Sequence, residues 1–238
     1  MTNLAAAVLN PLLRADASKP RITYYDDASG ERIELSTVTF ANWAAKSGNL
    51  LRDELGAGPG SRVALLLPTH WQTAAVVFGV WWIGAEVVIG GGEADVVMCT
   101  AGRLADADAD EVVALSLDPF GTPVDGLPAG VTDYATAVRV QADQIVAEHS
   151  PGPVLTGRSA DDVLVASTDS AAAQGISASD RVLSTRDWDS DTALIDGLVA
   201  VFAVGASLVQ VAHPDPSAME RHRATENVTV MLCRDYGK

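Results

Sequence analysis

The sequence predicts an α/β protein, mainly parallel sheets flanked by helices. Three observations carry that expectation: short continuous apolar runs of strand length, helical-period segments between them, and Gly or Pro at most junctions. A chain of 238 residues suits one large domain or two closely packed halves. The turn-rich stretch Ser150 to Gly157 marks the expected boundary, giving α/β subdomains over residues 1–150 and 151–238.

Phe40, Trp43, Ala44, Leu50, Leu51 and Leu55 recur at three- and four-residue steps, so a helix is expected from an N-cap at Thr39 to a stop at Gly56. Val63 to Leu67, ended by Pro68, reads as a strand buried on both faces. A second helix opens at Thr69 or His70 and closes at Gly84, and Val87 to Ile89 is the next strand. This strand–helix–strand order places two parallel strands side by side. Glu86 and Gly84 interrupt the apolar stretch from Ala74 to Ile89, and its helix is about half of the ~20 residues that a membrane span requires.

The alternation continues. Strands are expected at Val96 to Cys99 and Val112 to Leu117, then a Pro- and Gly-rich loop over Pro119 to Gly130 and a helix over Tyr134 to Val146. The second half gives strands at Val163 to Ala166, Arg181 to Ser184, Ser207 to Val211 and Val228 to Leu232. Helices fall at about Asp191 to Val204 and Ser217 to Thr225.

The net charge of −15, from 16 basic and 31 acidic residues, disfavours a nucleic-acid partner, because such binding needs cations to neutralise phosphates. Cys99 and Cys233 lie far apart in apolar surroundings and read as small hydrophobes, neither a disulfide nor a metal site. The acidic run Asp106, Asp108, Asp110, Glu111 lacks the glycine and final glutamate of a calcium loop and reads as a solvated turn. His70, His149, His213 and His222 show no metal-ligand spacing, and His222 between Arg221 and Arg223 reads as a solvated face. Gly90-Gly91-Gly92 is a sharp turn rather than a dinucleotide loop. The segment Met1 to Leu13 does not resemble a signal peptide, so a cytoplasmic protein without membrane attachment is expected.

Residues Glu34 to Gly90 resemble the N-terminal part of the adenylate-forming superfamily, which includes acyl-CoA synthetases and peptide-synthetase adenylation domains. Leu35-Ser36, Gly60-Ser61-Arg62-Val63-Ala64-Leu65 with Pro68, and Ile83-Gly84-Ala85-Glu86-Val87-Val88 are similar to successive motifs of that family. Asp180 to Leu183, Gly205 to Val209 and Asn227 to Val230 are similar to its later strands. The resemblance implies ATP-dependent acyl activation, with a Gly-rich loop and a lysine on the pyrophosphate after the strand at Val163. Here that place reads Ser167-Thr168-Asp169-Ser170-Ala171-Ala172-Ala173-Gln174-Gly175, with no lysine and one glycine. The family's later nucleotide motifs and C-terminal lid are missing as well, and Lys238 has no matching context.

The expectation is therefore a truncated, degenerate relative: a binding or accessory protein with no catalytic residue, bound cofactor or metal. Its partner would be a second copy or another protein, with a small acyl or nucleotide ligand as a further option. The alternatives are a small enzyme with unrecognised acyl- or nucleotide-related activity, and an oligomerisation or interaction module. Ser167, Thr168 and Asp169, expected at a strand end, are candidate cleft residues, each with a plain turn or cap as its other reading. Trp188-Asp189-Ser190-Asp191 resembles the family's Phe-Asp-x-Ser motif, making Asp189 a fourth candidate, although the favoured reading is that Asp189 or Asp191 simply caps the following helix.

Overall fold

The computed structural model describes residues 2–233. Its elements run α1 (Leu4–Asp16), β1 (Pro20–Asp26), β2 (Glu31–Ser36), α2 (Thr37–Asn49), β3 (Arg62–Leu66), α3 (Trp71–Trp82), β4 (Glu86–Ile89), β5 (Val96–Thr100), β6 (Glu111–Leu115), β7 (Val131–Asp133) and α4 (Tyr134–Arg139). Then follow α5 (Ala160–Ala173), β8 (Arg181–Ser184), α6 (Asp191–Leu194), α7 (Ala200–Ala203), β9 (Ser207–Ala212), α8 (Met219–Thr225) and β10 (Val230–Leu232). The chain divides into two compact units of interleaved segments. One takes in Ala41–Pro68 and Gln72–Val163; the other takes in Val8–Phe40, Thr69–Trp71 and the chain from Leu164 onward.

The first unit is built on a five-stranded, all-parallel sheet in the order β4-β3-β5-β6-β7. Val63, Ala64, Leu65 and Leu66 are buried along β3, as a strand covered on both faces requires. One side of the sheet packs Ala64, Leu66, Val88, Val97 and Cys99 together. Within this unit Gly79 lets two helices approach closely: a Cβ there would fall 2.7 Å from the Ala44 carbonyl and 2.8 Å from the Gly48 nitrogen. Trp81, fully buried, donates its indole N–H to the Val154 carbonyl at 2.7 Å.

The second unit holds a five-stranded sheet in the order β10-β8-β9-β1-β2. All pairings are parallel except the β1–β2 hairpin. Asp26 closes that hairpin by accepting the Ala28 amide at 2.9 Å, and Gly30 supplies the left-handed residue (φ 80°) that such a turn needs. Near the start of β1 Arg21, 2% exposed, donates to the Gly205 and Ala206 carbonyls at 3.1 and 2.5 Å, and burial pulls its pKa down to about 10.

Several expectations shift in detail. The helix expected from Thr39 starts at Thr37, because Ser36 Oγ accepts the Thr39 amide at 3.2 Å. It continues through a π-helical turn over Leu50–Glu54 and stops at Gly56 (φ 67°). The helix expected over Tyr134 to Val146 ends at Arg139. Cys233 is exposed, not enclosed by apolar neighbours. α1, the β1–β2 hairpin and β7 are additional to the sequence reading. Among the described residues no helix is long and apolar enough to cross a membrane.

Candidate functional site

The largest correction concerns Val163 to Ala166. These residues are not a strand; they lie within α5. Ser159 and Asp162 form a capping box, Ser159 Oγ accepting the Asp162 amide at 3.2 Å and the Asp162 carboxylate accepting the Ser159 amide at 3.3 Å. The buried residues Ala160, Val163, Ser167 and Ala171 then follow at helical steps, whereas Val165 is 61% exposed. A strand covered on both faces would have buried both.

The four cleft candidates fall accordingly. Ser167 is fully buried on α5, Thr168 turns its hydroxyl back to the Val165 carbonyl at 2.9 Å, and Asp169 is exposed. Consecutive helical residues do not share a face, so the three are not gathered onto one surface. Asp189 is exposed in the loop after β8, and the following helix is capped by Ser190, whose side chain accepts the Ala193 amide at 3.2 Å, rather than by either aspartate.

The place where open α/β sheets admit ligands is the carboxyl edge, at the point where strand order reverses. In the second unit the connection leaving β8 runs to β9 on one side and the connection leaving β9 runs back past β8 to β10, so this point lies between β8 and β9. The loop leaving β8 carries Arg186, Trp188 and Asp189. Arg186 donates to Gln174 Oε1 at 3.1 Å, and Gln174 in turn donates to Ser170 Oγ at 2.9 Å and the Asp196 carbonyl at 3.2 Å. Ser170 completes the chain on Asp196 Oδ1 at 2.5 Å. α5 and the turn that ends it thus contribute Ser170 and Gln174 to this edge. Trp188 donates its amide to Thr69 Oγ1 at 2.8 Å, and Gln210 of β9 donates Nε2 to the Arg186 carbonyl at 3.1 Å.

Neither described lysine belongs to this edge. Lys19 immediately precedes β1, at its amino end, and Lys46 pairs with Asp143 at 3.0 Å. Lys238 lies outside the described residues. Among the described residues no group of three His, Cys, Asp or Glu side chains is arranged to hold a metal.

A second polar cluster joins α8 to the hairpin. Glu226, 5% exposed, accepts the Tyr25 hydroxyl at 2.5 Å and Arg32 at 2.8 Å, and also pairs with Arg181. Burial opposes ionisation of Glu226, but the hydrogen bonds from Tyr25, Arg181 and Arg32 outweigh it and hold the carboxyl down at about 2. His222, expected on a solvated face, is instead 4% exposed, with Nε2 2.8 Å from Asp27 Oδ1 and its ring 4.2 Å from that of Tyr25. The one-turn offset from Ala218 to His222 turns it inward while its arginine neighbours point out.

In the first unit the acidic run borders a concavity of about 660 Å³, lined in part by Leu66, Gly91, Gly92, Asp95, Asp108 and Asp110. Gly90, Gly91 and Gly92 all have positive φ, the sharp turn that the triplet implied. Asp95 is occupied with the Arg62 amide and Asp106 with Arg103.

No family model matches the chain. Among solved structures it is similar to an acyl-CoA synthetase of Brucella canis, with a TM-score of 0.82 and 17% identity over 98% of this chain and 47% of that one. It is also similar to a benzoate CoA ligase from Burkholderia xenovorans, with a TM-score of 0.74 and 17% identity over 97% of this chain and 50% of that one. The fold is that of adenylate-forming enzymes, and the chain spans about half the length of these structures. A curated protein of Mycobacterium tuberculosis, described as a TIGR03089 family protein, is 64% identical over 239 residues, covering 97% of this chain and 98% of its own length. At that identity and coverage, the chain belongs to the TIGR03089 family.

Proposed function

We propose that this chain is a binding or accessory protein built on an adenylate-forming scaffold, with no adenylation activity of its own. The observation that supports the reading best is α5: where acyl activation would need a strand and a cationic phosphate loop, there is a capped helix without lysine. The guanidinium at this edge, Arg186, is already engaged by Gln174. Removing one electrostatic group from such a site commonly costs several kcal/mol of barrier. The decisive experiment is ATP–pyrophosphate exchange with a panel of carboxylic acids; no exchange is expected, and exchange abolished by a change at Arg186 would overturn the reading.

The partner in this reading is a second copy or another protein. Phe120, Val140 and Val146 stand 88%, 80% and 75% exposed in the first unit, apolar area of the kind that interfaces cover. Sedimentation at high concentration should show a dimer or require a partner; a strict monomer with no partner would remove this part. The acidic net charge supports a partner other than nucleic acid and is compatible with the cytoplasm.

A further inference from the structure

Gly91 and Gly92, after β4, and Asp106, Asp108 and Asp110, before β6, meet at one place: all line the concavity of about 660 Å³ in the first unit. A short crossover opens it. β5 and β6 are adjacent parallel strands, and such a connection usually takes a dozen or more residues, most often as an α-helix that covers the sheet. Here residues 101–110 make it, through a 3-10 helix over Ala101–Asp106 none of whose residues is buried.

The floor of the resulting groove is apolar. Leu66 and Val97 belong to the buried cluster on this side of the sheet, and Ala94 and Ala109 pack against it while only partly buried. Gly91 keeps one wall bare, for a Cβ there would stand 3.2 Å from Leu66 Cδ2, on a backbone with φ 99° that side chains rarely adopt.

The rim is anionic and largely unpaired. Asp95 accepts the Arg62 amide at 2.8 Å but forms no ion pair, and the side chains of Asp108 and Asp110 have no hydrogen bond or ion pair among the described residues, whereas Glu93 and Asp106 face Arg62 and Arg103. These carboxylates do not converge on a point, since among the described residues no three acidic, His or Cys side chains are arranged to hold a metal ion. Negative charge spread along a rim above an apolar floor complements an extended chain that carries both cations and aliphatic groups, rather than a single ion.

We propose that this groove docks a basic peptide segment of a partner protein, with lysine or arginine side chains on Asp95, Asp108 and Asp110 and aliphatic side chains on Leu66, Val97 and Ala109. The net charge of −15 adds long-range attraction for such a partner. The inference rests on the binding reading above and gives its partner a chemistry. The two fail separately: pyrophosphate exchange sinks that reading, whereas the titration below addresses the groove alone.

The test uses the full chain labelled with ¹⁵N and the capped peptide Lys-Leu-Lys-Leu-Lys. Saturable shifts should be confined to the amides of residues 91–95 and 106–110 and their neighbours on the groove floor. Lys-Gly-Lys-Gly-Lys, equal in charge, should bind at least about tenfold more weakly, because it brings nothing to the floor. D108N/D110N, at exposed positions, should keep a native melting transition and weaken the leucine peptide about three- to tenfold, the scale of two surface ion pairs. Shifts scattered over the acidic surface, equal binding of the glycine peptide, or unchanged binding by D108N/D110N overturns the proposal. Two further outcomes also overturn it: spermidine displacing the leucine peptide at equal concentration, which makes the groove a site for a small polycation, and shifts of the same amides on concentrating the peptide-free chain, which makes its occupant a second copy.

Discussion

The Tyr25 hydroxyl donates to the Glu226 carboxylate at 2.5 Å, across 201 positions of sequence. Arg32 and Arg181 share that acceptor, so removing the carboxylate takes a partner from a phenol and from two guanidinium groups, which keep Glu34.

For E226Q a loss of about 2–4 kcal/mol is expected at neutral pH, below the ~3–5 kcal/mol for breaking a buried pair from one side because Glu34 still accepts from both arginines. The sign of the pH dependence follows from the depressed pKa, held at about 2 against an ordinary value of about 4.3. A carboxylate lowered by folding adds stability that is present above its unfolded pKa and is lost as pH falls through its folded one. Urea midpoints of the parent chain should therefore decline between about pH 5 and about pH 2, and E226Q should flatten that decline.

H222A leaves Asp27 buried with only the Asp215 amide, which donates to its second oxygen at 2.8 Å. A destabilisation of about 1–3 kcal/mol is expected, with D27N/H222A costing less than the sum of the two single changes. A denaturation double-mutant cycle measures this, and strict additivity would show that the two side chains do not interact.

S159A removes half of the capping box on α5 and should cost about 1 kcal/mol. Amide exchange over the first turn of α5 should accelerate with it. Unchanged exchange there would contradict the helical start at this position.

G79A places a Cβ within 2.7–2.9 Å of three atoms, Ala44 O, Gly48 N and Ser47 Cβ. Two of these are backbone and cannot swing aside, so a loss at the upper end of the 1–3 kcal/mol typical of overpacking, or about 3 kcal/mol, is expected. Thermal melting checks it.

The sequence was most legible where periodicity and punctuation agreed. β3, ended by Pro68, and α3, closed by Gly84, fall where expected because their apolar patterns are long and their stops are explicit. Val163-Leu164-Val165-Ala166 misled because four apolar residues fit either a buried strand or one turn of helix. The arbiter was Ser159-x-x-Asp162, a helix-start signal just upstream. Pro11 masked α1, although Leu4, Val8, Leu9 and Leu12 keep helical spacing, and Asn3 caps it by accepting the Ala6 amide at 3.0 Å.

Little of the site could be read in advance. Gln210 carried a usable cue, a lone amide inside the apolar run Leu208-Val209-Gln210-Val211. His222, Glu226 and Asp27 carried none, because their pairing depends on which strand lies beside which helix.

The pairing of β1 with β9 has a bearing on how this molecule is made. Ile22 leaves the ribosome long before its neighbour Leu208 has been translated, and at cellular elongation speeds the interval is on the order of ten seconds or more. Throughout it, β1 has only its hairpin partner β2 on one flank, and its other flank offers unpaired amides and carbonyls to any passing strand. Nascent chains stalled before residue 207 should therefore engage chaperones that full-length chains do not need.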